Sequence, residues 1–314
     1  MFTQRILSVL LFFALFAGLL SACGGDQTPT PGVTPSSPPN GTPIPSKTPF
    51  RPEPTATFTP SPTPVPLAAR VNKEGITLAE YEAELLRLKD ALAEKKTTLT
   101  PAEQQKQVLD ELIAQVLLAQ AAVQGGYKPD EAAFQARLKA LAEKAGGEAA
   151  FKEWLNRNHY TEASFKAALQ RAIAATWQRD KIIASVPEKM EQIHARQILV
   201  SDPAVADSIQ KSLQAGTSFA NLATRYDPLT GGDMGWFPRG YMTVPEAETI
   251  AFSLQPNQAS GSIKTKVGYL FIQVLERDPQ RPLSPDARQT LQHKALAAWV
   301  EEHRKAAQVE ILLS

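Results

Sequence analysis

The chain has 314 residues, with 33 basic, 32 acidic and a single cysteine. Near-neutrality argues against nucleic acid as the main partner, and one cysteine excludes an internal disulfide framework and any cysteine-built zinc or iron–sulfur site. Of its 25 prolines, 14 lie between Gly24 and Pro66, which leaves Ala68 to Ser314 for one large domain or two modest ones.

Met1 to Arg5 carries a positive charge, and Ile6 to Gly25 is uncharged, with Leu, Phe and Ala filling Leu10 to Leu20. This is the pattern of a signal peptide over residues 1–22; a retained signal anchor is the alternative. Leu20-Ser21-Ala22-Cys23 decides between them, because small residues precede the sole cysteine. The stretch resembles a bacterial lipobox, which implies lipidation of Cys23 and tethering to the outer face of the cell membrane. Residues 23–67 cannot fold: proline removes backbone donors and clashes with a preceding helical turn, and the segment has little to bury. A polyproline-like, disordered linker is expected, acting as a spacer.

Ala69 to Ile76 reads as a short strand and turn. Thr77-Leu78-Ala79-Glu80 and Thr100-Pro101-Ala102-Glu103 are capping boxes, the second with proline at the first helical position. Val108, Leu109, Leu112, Ile113, Val116 and Leu117 form an apolar stripe after the second, ended by Gly125-Gly126. Helices are expected at 130–144, 149–156 and 161–186, with Phe134, Phe151, Trp154, Phe165 and Trp177 as packing anchors. Ser284-Pro285 opens a last helix running to about Val309, and a lone terminal helix needs a partner. The simplest arrangement packs residues 280–314 on the helical module of 68–190, with 191–279 inserted between them.

Periodicity changes in the insert. His194 to Val200 alternates as a strand; Val205–Leu213 and Phe219–Ala223 are helical; Gly231-Gly232-Asp233-Met234-Gly235-Trp236-Phe237 marks tight backbone turns. Pro245–Phe252 is a short helix, and Ser262 to Leu275 closes as a hairpin about Val267-Gly268. The order is β-α-α-β-α-β-β. No phosphate loop, nucleotide fingerprint or serine-hydrolase elbow is present. His159, His194, His293 and His303 lack metal-ligand spacing. No metal and no cofactor is implied.

The opening His-x-x-x-Ile-Leu-Val, Ala215 to Ala223, the glycine motif at 231–237, Met242-x-x-Pro245-Glu246, Ala251-Phe252-Ser253-Leu254 and Lys264-Thr265-x-x-Gly268-Tyr269 resemble a parvulin-type peptidyl-prolyl isomerase domain. The flanking helices resemble the chaperone module of foldases of the SurA and PrsA type. The resemblance implies an α+β protein: a four-stranded antiparallel sheet with helices, inserted between an N-terminal helical module and a C-terminal helix that completes it. It implies a proline-binding cup of Met234, Met242, Ala247, Phe252 and Leu270 beside a polar network, with His194, Asp227 and Thr265 as catalytic candidates. Asp233 reads as structural.

Two positions depart from the family. Leu270 stands where a second histidine is usual, and Ala247 where an aromatic closes the cup, so the cup is expected to open on that side. Two functions therefore stay open. One is an extracytoplasmic foldase that isomerises X-Pro bonds in unfolded or nascent secreted chains. The other is a non-catalytic chaperone or assembly factor on the same fold. Oligomeric state is not legible.

Overall fold

The computed structural model describes residues 65–313. The expected signal peptide, Cys23 and nearly all of the proline-rich linker lie outside the described residues. Strands β1 (Leu67–Val71) and β2 (Glu74–Thr77) form an antiparallel hairpin. Asn72, at φ 57°, makes its turn. Helices α1 (Leu78–Glu94), α2 (Pro101–Gln124), α3 (Glu131–Ala145), α4 (Glu148–Arg157) and α5 (Glu162–Ala184) follow. Thr100 and Glu103 make a full reciprocal capping box. Thr77 makes only half of one: it accepts from Glu80 N at 3.1 Å, while the Glu80 carboxylate pairs with Arg171.

The stripe of α2 does what its spacing predicts. Val108, Leu112, Ile113, Val116 and Leu117 are buried with Ala69, Val71 and Ile76 of the hairpin and Tyr81 and Leu88 of α1. Gln120 continues the stripe as its polar end and donates to Val71 O at 3.2 Å. Phe165 is the hub of an aromatic group, edge-on to Phe151 at 5.5 Å and to Tyr160 at 5.3 Å.

The last helix, α9, spans Pro285–Ala306. It packs on α2 and α5: Trp299 joins the cluster above, and Arg304 donates to Asp110 at 2.6 Å. The helix stops short of Val309. Strand β7 (Val309–Ile311) pairs instead with β1, as Ala69↔Ile311 and Val71↔Val309, in the sheet order β2-β1-β7. A three-residue strand whose partner lies at the other end of the fold has no local period to betray it.

Between α5 and α9 run β3 (Lys189–Val200), α6 (Pro203–Gln214), α7 (Phe219–Tyr226), β4 (Asp233–Pro238), α8 (Pro245–Ser253), β5 (Ile263–Thr265) and β6 (Gly268–Pro282). The element order is that expected, and the antiparallel sheet is ordered β4-β3-β6-β5. β3 and β6 are longer than their alternation suggests. They continue as a ribbon from Gln192↔Asp278 to Lys189↔Pro282. There the buried Gln192 amide donates to Arg281 O and Pro282 O at 2.9 and 3.0 Å, which satisfies a polar group where apolar alternation fails. Residues 67–314 make one compact unit. Among the described residues no helix is long and apolar enough to cross a membrane.

Candidate functional site

The sheet buries both faces. Under α8 lie Ile193, Ala195, Leu270, Ile272, Val274, Phe237 and Ile263. Under α6 and α7 lie Ile198 and Phe271, with Val200 and Tyr269 partly buried. Side chains alternate along a strand, so residues 193, 195, 197 and 199 of β3 share the α8 face. Residues 194, 196, 198 and 200 share the other.

The glycine motif breaks this alternation to a purpose. Phe237 of β4 points to the α8 cluster and Trp236 away from it, so a regular strand would turn Met234 away too. The register slips instead, from Ala195↔Gly235 to Arg196↔Asp233, with Gly235 at φ 66°. This one-residue bulge delivers Met234 to the α8 cluster and Asp233 to the opposite side. Gly232 allows the preceding turn to lie on β3. Gln197 N donates to Gly232 O at 2.8 Å, and a Cβ on Gly232 would stand 2.0 Å from Gln197 O.

The structure gathers all five expected cup residues in one cluster, with Val244 and Ile250 beside them. They are not equally open. Ala247 is fully buried, and Phe252 and Leu270 are 4% exposed, so Met234 and Met242 form the accessible surface. Ala247, where the cup is expected to open, is itself covered by its neighbours in the cluster. The guanidinium of Arg239 lies 4.3 Å from the Phe252 ring centre and shares Glu191 with Arg277. Arg277 also donates to Phe252 O and Leu254 O at 2.9 and 2.7 Å, satisfying carbonyls at the end of α8. Burial pushes the Glu191 carboxyl up, but its bonds to the two arginines outweigh that and hold it below the usual range.

The three polar candidates make no hydrogen bond to one another among the described residues. His194 lies on the opposite face, its Nε2 2.7 Å from Asp233 Oδ1 and its ring stacked on Trp236 at 5.6 Å. The acid hydrogen-bonded to His194 is thus Asp233, and Glu276 Oε1 stands 3.7 Å from Nδ1; the candidate for the acidic position from the sequence is Asp227. Asp233 also accepts from Gly235 N at 2.8 Å, within the bulge, and that bond leads the lowering of its pKa. Asp227 is spent on its own loop: it accepts from the Thr230 hydroxyl and from the amides of Leu229, Thr230 and Gly232. The Thr230 hydroxyl leads in holding its carboxyl below the usual range. Thr265 shares the face of Ile263, yet its hydroxyl donates to Gly268 O at 2.9 Å and accepts from Val267 N at 3.2 Å, closing the β5–β6 turn.

Sequence reasoning missed Gln197. It sits on the α8 face of β3, opposite Ile272, half-buried, and no side-chain hydrogen bond is made by it among the described residues. Parity with Ile193 and Ala195 would have found it, had the buried face been known. The arrangement offers an apolar cup with the half-buried Gln197 amide on the same face. It suits contact with an apolar ring.

Comparison with known proteins bears on this site. The family described as SurA-like N-terminal domain matches residues 55–178, and the PPIC-type PPIASE domain matches residues 181–278. A foldase protein PrsA from Caldanaerobacter subterraneus is 32% identical over 228 residues, which are 66% of this chain and 72% of that protein. The chain belongs to the PrsA foldase family. A second family member, from a Geobacillus species, is 33% identical over 39% of this chain and 45% of its own length. The crystal structure of a PrsA peptidylprolyl isomerase from Bacillus anthracis is 28% identical, covering 63% of this chain and 96% of its own, with a TM-score of 0.42. The PPIC-type match spans β3 to β6 and so includes the bulge, the cup and all three polar candidates.

Proposed function

We propose that this chain is an extracytoplasmic foldase, tethered through a lipid on Cys23, that binds unfolded secreted polypeptides and accelerates cis–trans exchange of their X-Pro bonds. The observation that carries the reading is the cup itself: Met234 and Met242 standing partly open over a floor of Phe252, Leu270 and Ala247. Prolyl exchange rotates an amide against a barrier of about 20 kcal/mol and breaks no bond. A catalyst needs to hold the ring and favour the twisted amide over the planar one. Methionines suit a cup that must accept many sequences around proline, because the unbranched thioether adapts its shape. Gln197 offers both a donor and an acceptor on the same face, for an amide whose conjugation is lost.

In this proposal the expected polar site acts by support. His194 works through Asp233, which ties the bulge that presents Met234. Thr265 closes the strand turn beside Leu270, and Asp227 orders the loop before Gly232. The residues expected as catalytic thus shape the cup rather than touch the bond.

One observation favours the second reading, a chaperone without catalysis. Among the described residues the α8 face presents Leu270 and Gln197 and no histidine. Exchange spectroscopy by NMR on short X-Pro peptides separates the two. Catalysis is expected, with Met242→Ala reducing it more than His194→Ala does. No acceleration by folded protein, with suppression of client aggregation retained, selects the chaperone.

A further inference from the structure

The segment joining β4 to α8 carries Met242, and two helices hold it from opposite sides. Glu248, in the first turn of α8, takes its amides: Gly240 N donates to Oε2 at 2.8 Å and Met242 N to Oε1 at 2.9 Å. Lys294 of α9 takes its carbonyls. Its ammonium donates to Gly240 O, to Met242 O at 3.1 Å and to Tyr241 O at 3.4 Å. An ammonium has three donors, and here three successive carbonyls converge on it. One turn earlier on α9, Leu291 presses on the same segment. Gly240 stands at φ 82°, and a Cβ there would come within 3.1 Å of Leu291 Cδ2.

The far part of α9 belongs to the helical half. Trp299 lies in that half's core, Arg304 holds Asp110 at 2.6 Å, and Gln292 donates to Ile183 O at 3.4 Å. One helix therefore runs from the core of the helical half to the lip of the cup. We propose that Lys294 is a positioning residue: with Leu291 it sets the height of the Met242 lip, so that α9 couples ring binding in the cup to the helical half. This builds on the reading of the Met234–Met242 surface as the proline cup.

The test uses the full chain in detergent micelles with methyl-labelled methionine. The chain has four methionines, Met1, Met190, Met234 and Met242. Lys294→Ala is expected to shift and broaden the Met242 methyl signal while Met190 stays in place. It should weaken binding of a short X-Pro peptide about fivefold to tenfold, as expected for losing a charge-assisted clamp, with little change in exchange rate at saturation. Leu291→Ala should move the same signal, and Lys294→Arg, which keeps the donors, should largely restore both readouts. If Lys294→Ala does not fold, Lys294→Met keeps the stem and removes the donors. An unmoved Met242 signal in folded Lys294 and Leu291 variants, or unchanged peptide affinity, overturns the proposal. If the wild type binds the peptide without accelerating exchange, the isomerase reading fails, while the methyl and affinity measurements still decide the role of Lys294.

Discussion

Glu111 should make this fold weaker in mild alkali than in mild acid. It lies on α2, half-buried, with Glu84 and Arg87 of α1 as its charged neighbours. Burial, then repulsion from Glu84, pushes its carboxyl up to about 8. Arg87 and a hydrogen bond from Gln115 pull the other way, but do not win. Arg87 is already committed: it pairs with Glu84, donates to Asn158 O at 3.0 Å and covers the Tyr160 ring at 3.9 Å. The folded pKa lies above the unfolded value of about 4.3, so the neutral carboxyl's contribution is complete below that value and is lost as pH rises towards about 8. The full interval would correspond to about 5 kcal/mol, and residual water at a half-buried group cuts this to about 2 kcal/mol. Asp227 and Asp233 are shifted downwards, so their own contributions change at lower pH and leave this window clear. Urea unfolding of wild type and Glu111→Gln across the range checks it. The two should be of similar stability near pH 5, and the variant should be more stable by about 2 kcal/mol near pH 8.5. A wild-type-minus-variant difference that stays constant with pH refutes the reasoning.

Two further predictions concern the cup. Gly232→Ala should cost about 3–5 kcal/mol in thermal or urea unfolding, because its Cβ would meet the Gln197 carbonyl at 2.0 Å. Gly235→Ala, equally left-handed but with nothing within 4 Å of the new methyl, should cost only about 1–2 kcal/mol; equal losses would show that the close approach is not what glycine serves at position 232. Ala247→Phe should destabilise by about 1–3 kcal/mol through overpacking, since the position is fully buried. A variant that is more stable and binds X-Pro peptide more tightly would show that Ala247 had left a real gap.

Much of the architecture is legible because it rests on local rules. The Thr100-Pro101-Ala102-Glu103 start is visible as text, since the residues that cap the helix are those that follow one another in sequence. The stripe from Val108 to Leu117 likewise predicts which side of α2 is buried. What escapes is non-local. Strand β7 is defined only by β1, and the ribbon beyond Gln192 by carbonyls of Arg281 and Pro282 that its amide meets across the sheet. Glu80 has the spacing of a capping box yet spends its carboxylate on Arg171, ninety-one residues away.

The site shows the same division more sharply. The residue types of the cup are readable, and the five candidates do converge, because each lies on an element whose apolar face is local information. Which face a polar residue takes is not. His194 is three residues from Gln197, an odd separation, so one of the two must leave the cup face if the strand is regular. β3 carries no extra residue there: the irregularities fall on its partners, on β6 opposite His194 and Ala195 and on β4, where Gly235 permits a bulge that sends Met234 and Asp233 to opposite sides. The glycines, read from sequence as tight turns, thus also sort side chains: they place a methionine in the cup and a carboxylate against the histidine behind it. A reading by matched positions alone offers Asp227 for the acidic position. The structure instead joins His194 to Asp233, gives Asp227 to its own loop, and puts Gln197 on the cup face with no side-chain hydrogen bond among the described residues.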